Sequence, residues 1–200
     1  MKSLSHPGGN LTGFSTISEA LIGKRMELFK EMVPQLRRVL ILSDPEDPVA
    51  KRFLAEARTA ATTLKLHLLE RQVTDQADIE RVFRSVKRGA VDGVFTLSPN
   101  LDVKFSSLLI RLAAEKRLPL PSHRKEWVEQ GALFSYSSDL RSIGREAARY
   151  ADKILKGTPP PDLPVEQPMR FELVINLKTA KALWLTIPQS VLFRADRVIQ

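Results

Sequence analysis

There is no cysteine anywhere in the 200-residue chain. Disulfides and thiolate metal sites are therefore excluded, although the compartment is left open. No apolar run approaches the ~20 residues needed to span a bilayer. The N-terminal stretch Met1 to Asn10 lacks the apolar core of a signal peptide, so the chain as written reads as cytoplasmic. Histidine is scarce: His6, His67 and His123 share no metal-ligand spacing, and His67 within a strand pattern reads as structural. The motifs of catalysis are missing as well. There is no Gly-x-Ser-x-Gly, no P-loop Gly-Lys-Ser/Thr, and no Gly-x-Gly-x-x-Gly after the first strand. Neither a catalytic residue, a cofactor nor a metal is expected, and the chain does not read as an enzyme.

What is present suits a packed soluble protein. Hydrophobic residues make up 43% and charged residues 27%, enough for a real core in one large domain, or one domain plus part of another. The net charge of +8 permits an acidic partner. The basic residues, however, are spread over several helical patterns instead of forming one run with interleaved aromatics. Nucleic acid is accordingly not an expected partner.

The chain is organised around Val39 to Pro48, a buried strand running through a polar turn into a helix pattern that starts at Val49. Before it, His6 to Gly13 is turn-forming. A helix from Ser18 to Val33 follows, with Ser18 as its cap, a stripe of Ile22, Met26, Phe29 and Val33, and Pro34 as its stop. After it, helices alternate with short strands at Leu66 to Leu69, Val91 to Leu97 and Leu118 to Ser122. Gly89 is read as the C′ residue closing the helix before the third strand. Strand onsets near 39, 66, 91 and 118 recur about every 25 to 27 residues, the length of a βα unit. This spacing predicts an α/β, doubly wound parallel sheet. The two prolines of the fourth strand favour a place near the sheet edge.

Past Ser122 the repeat breaks. A short helix (Arg124 to Gln130), a strand (Ala132 to Ser137) and a strongly amphipathic helix (Ser142 to Lys156) follow. A stiff proline-rich connector (Thr158 to Pro164) leads to a strand at Phe171 to Asn176, a helix at Lys178 to Leu183, and a tail with a final short helix. The helix at Ser142 to Lys156 has an apolar face that its own sheet has no room to cover. It is expected to pack on a lobe not encoded in this chain.

Several blocks carry a family resemblance. They are HPGGNLTG at 6–13, Gly23-Lys24-Arg25, the strand and turn Val39 to Pro48, GALFSY at 131–136, ILKG at 154–157, and above all LPVEQP at 163–168 with FELVINLKTAKAL at 171–183. Together they resemble the ABC-transporter substrate-binding proteins of the tryptophan/tyrosine-binding type, over essentially the whole chain. Trp184, where the family pattern has Gly, and Asp44, where it often has Asn, are departures. The resemblance implies a Rossmann-like lobe of a type I periplasmic binding protein, plus crossover and C-terminal elements of an incomplete other lobe. Residues 1–38 would be a crossover turn and leading helix, 39–137 a complete ligand-binding α/β lobe, and 138–200 crossover segments partly belonging to the missing lobe. The implied function is capture of a small solute, such as an amino acid, in an interlobe cleft and its presentation to an ABC permease. The family works in the periplasm or lipid-anchored outside the inner membrane. Alternatives are a LacI-like effector-binding regulatory domain, disfavoured by the lack of a helix-turn-helix before the lobe, and an enzyme on the same sheet.

Open α/β sheets bind ligands outside the carboxyl ends of their strands. That rule selects Ser43 and Asp44 after the first strand, Ser98 and Asn100 after the third, Ser122 and Arg124 after the fourth, and Tyr136 on the crossing strand. Asp47 reads equally as a helix cap with Pro48 at N1, and Asp102 as an N-cap. Trp127 reads as a staple of its short helix. Gly8, Gly9, Asn10 and Pro164 are the crossover or hinge candidates. With one wall of a cleft, the chain alone is expected to bind ligand weakly or not at all, and to self-associate through the face turned toward the missing lobe.

Overall fold

A computed structural model describes residues 3–15, 19–168 and 170–200. The chain divides into two compact units, a larger one of Glu19–Tyr136 with Leu173–Gln200 and a smaller one of Met1–Ser18 with Ser137–Glu172. The elements run α1 (Ala20–Met32), β1 (Arg38–Ser43), α2 (Ala50–Leu64), β2 (His67–Gln72), α3 (Gln76–Ser85), β3 (Gly93–Thr96) and α4 (Pro99–Glu115). Then come α5 (Lys125–Glu129), β4 (Phe134–Ser138), α6 (Leu140–Leu155), β5 (Phe171–Asn176), α7 (Leu177–Ala182), α8 (Gln189–Leu192) and β6 (Arg197–Ile199). Ser18, the expected cap of α1, lies outside the described residues; the N-cap position is Glu19, whose side chain makes no capping bond.

The larger unit is a parallel α/β layer structure. β1 pairs in parallel with β2 on one side and β3 on the other, and β5 pairs in parallel with β6. Alternation along β1 explains why the sheet is covered on both faces. Val39 and Ile41 pack with α1 and α2 residues such as Met26, Phe29 and Phe53, whereas Leu40 and Leu42 pack with Ile79, Phe83 and Leu109 of α3 and α4. All four are fully buried, as expected for a central parallel strand whose successive side chains point to opposite faces.

The regular ladders form two groups, β2-β1-β3 and β4-β5-β6. Leu118 to Ser122 runs between them. The Val94 N–H donates to the Pro119 carbonyl at 3.0 Å, the Leu133 N–H to the Leu120 carbonyl at 2.8 Å, and the Ser122 N–H to the Phe134 carbonyl at 2.8 Å. The proline-containing segment is thus interior, not near an edge. In an extended chain, alternate residues turn their hydrogen-bonding groups to opposite sides. Pro119 and Pro121 therefore both lose their donors on the β3 side, where the Pro119 carbonyl still accepts, and the β4 side keeps its donor at Ser122.

Other boundaries also differ from the sequence pattern. Gly89 is not a helix C′ residue: α3 is capped at Val86, and Gly89 (φ +76°) serves the turn closed by the Ala90 N–H to the Lys87 carbonyl. Ser98 is the N-cap of α4 and the helix begins at Pro99, so Asn100 follows the third strand inside a helix. Asp102 consequently lies inside the first turn instead of capping it. Pro48 precedes the N-cap of α2, Val49, so it is not at N1. The tail adds a strand, β6, that periodicity did not reveal. Trp184 takes the left-handed backbone (φ +59°) at the end of α7, where a side chain is unfavourable and glycine is the usual choice.

In the smaller unit, α6 is anchored through one aromatic side chain. The Tyr150 hydroxyl donates to the Pro164 carbonyl at 2.7 Å, and its ring lies 5.0 Å from that of Phe14. Gly8 and Gly9 have φ of +72° and +59° in the turn that leads there. The N-terminal segment and the connector then bond to each other, with the Glu166 N–H donating to the Gly13 carbonyl and the Ser15 N–H to the Glu166 carbonyl. The Thr12 hydroxyl donates to the Leu163 carbonyl at 2.8 Å.

Gly93, the first residue of β3, sits tightly against core side chains. A Cβ there would lie 2.5 Å from Phe29 Cζ and 3.1 Å from Leu36 Cδ1. Phe29 is itself held between Phe95 and Phe134, with ring centroids at 6.5 and 6.2 Å. Gly93→Ala is expected to lower stability by about 1–3 kcal/mol. Urea denaturation checks this, and a loss below about 0.5 kcal/mol would show that Phe29 has room to move.

Candidate ligand-binding site

Because the strands are parallel, β1, β3 and the 118–122 segment end on the same edge of the sheet. Register carries this through: Leu42 is level with Thr96, and Ser122 bridges Ser135. The residues just beyond these ends are polar yet buried. Ser43, Asp44, Asp47, Ser98, Asp102 and Ser122 are each less than a tenth exposed. Such a concentration of buried polar groups must be bonded internally or face a polar occupant.

Much of it is bonded internally. The Asp44 N–H donates to Ser98 Oγ at 2.7 Å, tying the turn after β1 to the start of α4. Asp44 Oδ1 accepts from the Glu46 N–H at 2.9 Å, while Oδ2 has no partner among the described residues. Asp47 serves two helix starts at once. Its Oδ1 accepts from the Val49 N–H at 3.2 Å before α2, and its Oδ2 from the Asn100 N–H at 3.4 Å in the first turn of α4. Both helix N-termini therefore face a carboxylate of the chain itself. The Ser122 hydroxyl is spent locally, accepting from the Arg124 N–H (2.9 Å) and donating to the Arg124 carbonyl (3.0 Å).

Three groups stand out by charge. Arg25 of α1 is 7% exposed, and its Nε–H donates to the Tyr136 carbonyl at 2.7 Å. Burial pushes its pKa from 12.5 down to about 10, with the negative charge of Asp102 pulling the other way. It remains a cation at neutral pH. Its two terminal nitrogens take no hydrogen bond among the described residues and keep some contact with solvent. Asp102 also accepts or shares a proton with His123, Nδ1 to Oδ2 at 2.7 Å. The kink of α4 at Phe105 sets the first turn, which carries Asp102, apart from the rest of the helix. The Trp127 ring meets His123 edge-on at 4.7 Å, and the Arg124 guanidinium lies 5.9 Å from the Trp127 centroid. The cavity beside these groups, lined by Thr96, Asp102, Ser122 and Trp127 among others, holds only about 10 Å³.

Of the residues selected from sequence, Ser43, Asp44, Ser98, Ser122 and Arg124 follow the ends of parallel strands, and Asn100 is exposed on the first turn of α4. Tyr136 is half-buried on β4 and packs against the core. Trp127 packs beside Val128, Ala132 and Val174. Sequence reasoning missed Arg25 and the pairing of Asp102 with His123. A signal for Arg25 was present, since it falls three residues after Ile22, on the apolar stripe of α1.

A family model, described as ABC transporter substrate binding protein, matches residues 1–199. The chain belongs to the ABC transporter substrate-binding protein family. It is similar to a tyrosine-binding protein of Clostridioides difficile, at 26% identity over 183 residues. That match covers 92% of this chain but 52% of the relative. Among solved structures it resembles a conserved domain protein of Vibrio cholerae (TM-score 0.86, 28% identity, 99% of this chain and 66% of that one). It also resembles an ABC domain from Streptococcus pneumoniae in complex with L-Trp (TM-score 0.83, 27% identity, 100% and 68%). The chain thus spans about half the length of the curated relative and about two thirds of these structures.

In this substrate-binding family member no helix of the described residues is long and apolar enough to cross a membrane. No three His, Asp or Glu among the described residues converge on a metal position.

Asp47 is the group whose removal tests how this edge is held together. Asp47→Ala leaves N–H groups unpaired at the starts of both α2 and α4, and is expected to cost about 1–2 kcal/mol. Equilibrium denaturation measures it; a cost below about 0.3 kcal/mol would mean that water or neighbouring groups already serve those amides.

Proposed function

We infer that the chain supplies one wall of an interlobe cleft in which an ABC importer's substrate-binding protein holds a zwitterionic amino acid, and that it performs no chemistry on it. The observation that carries this reading is the buried Arg25 cation, whose terminal nitrogens are unbonded among the described residues and which feels the charge of the buried Asp102 at the strand-end edge. An α-amino acid needs both poles. A guanidinium of fixed geometry matches a carboxylate, and a carboxylate with a free oxygen matches an ammonium. Arg25 takes the first role and Asp44 Oδ2 the second. Arg124 and Tyr136 border the ligand, and His123 with Trp127 supplies an aromatic surface for its side chain. Ser43, Ser98, Asn100 and Ser122 shape the wall, Ser98 and Ser122 through the bonds described above.

The opposing wall comes from the additional span that the relatives possess. Gly8, Gly9, Asn10 and Pro164 serve as crossover positions, and the loaded protein docks on a membrane permease outside the inner membrane. The sequence-level division into residues 1–38, 39–137 and 138–200 belongs to the same reading. α6 supports it further, because Leu140, Ala147, Ala151 and Leu155 form an exposed apolar stripe at spacings of seven, four and four. In the chain on its own this stripe pairs with a second copy. Sedimentation velocity is expected to show a concentration-dependent dimer that Leu155→Glu with Ala151→Glu disperses; a strictly monomeric chain at high concentration would contradict it.

Titration followed by amide NMR tests the ligand site. L-Trp, L-Tyr and L-Leu are expected to shift amides around Asp44, Ser98 and His123 with affinities near 1 mM, about −4 kcal/mol, while their N-acetyl and methyl-ester forms do not. Micromolar binding by a monomer would overturn the two-wall reading, and no shift at tens of millimolar would overturn the site. Arg25→Met separates function from folding. Burying this cation costs on the order of 3 kcal/mol at neutral pH, a penalty present below the lowered pKa of about 10 and fading above it. The variant should therefore melt at the same or a higher temperature while its amino-acid shifts disappear. Retained binding would remove Arg25 from the site.

A further inference from the structure

Among the described residues the larger unit carries two sizeable cavities that adjoin, the first of them also reaching Ile110 and Leu120 behind the strand-end cavity. One, of about 660 Å³, is walled by Ile110 and Ala114 of α4, Leu118 and Leu120 of the proline segment, and Ala182 and Leu183 of α7. Two of its polar groups are engaged elsewhere. The Thr179 hydroxyl donates to the Gly131 carbonyl at 3.0 Å, and Arg111 pairs with Glu115 at 2.9 Å. The other, of about 610 Å³, is bordered by Lys87, Arg88, Lys116 and Arg117. The two carboxylates on its border are occupied as well. Asp92 accepts from the Arg37 and Arg38 N–H groups and pairs with the Arg38 guanidinium at 2.9 Å, and Glu115 belongs to Arg111. Lys116 Nζ donates to the Val86 carbonyl at 3.2 Å. Lys87, Arg88 and Arg117 have no side-chain partner among the described residues.

Arg117 and Leu118 line both cavities. Arg117 holds the left-handed backbone (φ +54°) at the close of α4, so the chain turns there from one cavity into the other. The first cavity falls in the range that buries most of a small ligand, and it is apolar. The second presents several cations with no anion of the protein left to satisfy them, the arrangement that recognises a phosphate. We propose that the paired cavities form a second binding site, for an anionic amphiphile whose alkyl chain fills the 660 Å³ cavity and whose phosphate head meets Lys87, Arg88 and Arg117. This site shares Ile110 and Leu120 with the small strand-end cavity but draws on a different set of charged groups, and it goes beyond the solute-binding reading.

Dodecyl phosphate below its micellar concentration is the probe, with the fluorescence of Trp184, next to Leu183, as the readout in a Trp127→Phe background. Saturable binding at least tenfold tighter than that of dodecanol, inorganic phosphate or dodecyltrimethylammonium is expected, weakening as salt rises. Ala114→Trp, which fills the apolar cavity, and Lys87→Glu with Arg88→Glu, which reverses the head site, should each reduce affinity at least tenfold. All three positions are exposed, so circular dichroism should stay that of the parent. Equal binding of the cationic and anionic detergents, or affinity unmoved by either set of variants, would overturn the proposal. Binding to phosphatidic-acid vesicles without binding of the monomeric probe would overturn it too, since that outcome describes a charged surface and not a cavity.

Discussion

The Val94 N–H to the Pro119 carbonyl, and the Leu133 N–H to the Leu120 carbonyl, join what would otherwise be two separate three-stranded ladders. Everything at the strand-end edge depends on this join. It sets the end of the proline segment, with Ser122 and His123, in register with the ends of β1 and β3. Asp102 can then meet His123, and Arg25 can reach the Tyr136 carbonyl. A segment with two prolines can do this because a strand needs only alternate donors on each side. Here both missing N–H groups fall on the same side.

The second constraint is electrostatic. A parallel sheet brings the N-termini of its following helices to one edge, and their unpaired N–H groups invite anions. In this chain Asp47 answers two of them from within. The edge thus holds several buried carboxylates, and one of them, Asp102, acts on the buried Arg25 cation. That cation is costly to keep in a core, because burial disfavours its charged form.

Family membership and a polar strand-end wall are the two supports of the proposed solute binding. The anchoring of α6 by Tyr150 and the apolar stripe on its exposed side are separate features of one helix. The first orders it within the smaller unit. The second leaves Leu155 at 87% exposure, apolar surface that a soluble protein ordinarily covers.

The parallel α/β class, the order of helices and strands up to β3, and the strand-end location of Ser43, Asp44 and Ser98 were legible from sequence, because hydrophobic period and βα spacing are local properties. So was the reading of FELVIN as a strand, whose bounds of Phe171 and Asn176 recur unchanged. The interior place of Leu118 to Ser122 was not legible, since proline's local preference for edges is overridden by which neighbours accept and donate across the sheet. Strand β6 was hidden by its length of three residues, too short to show alternation. Arg25, the Asp102–His123 pair and the double service of Asp47 were also settled only by the tertiary structure. Each joins residues more than 20 positions apart, or buries a charge that period alone would assign to solvent, and contact across that distance exists only once the sheet has formed.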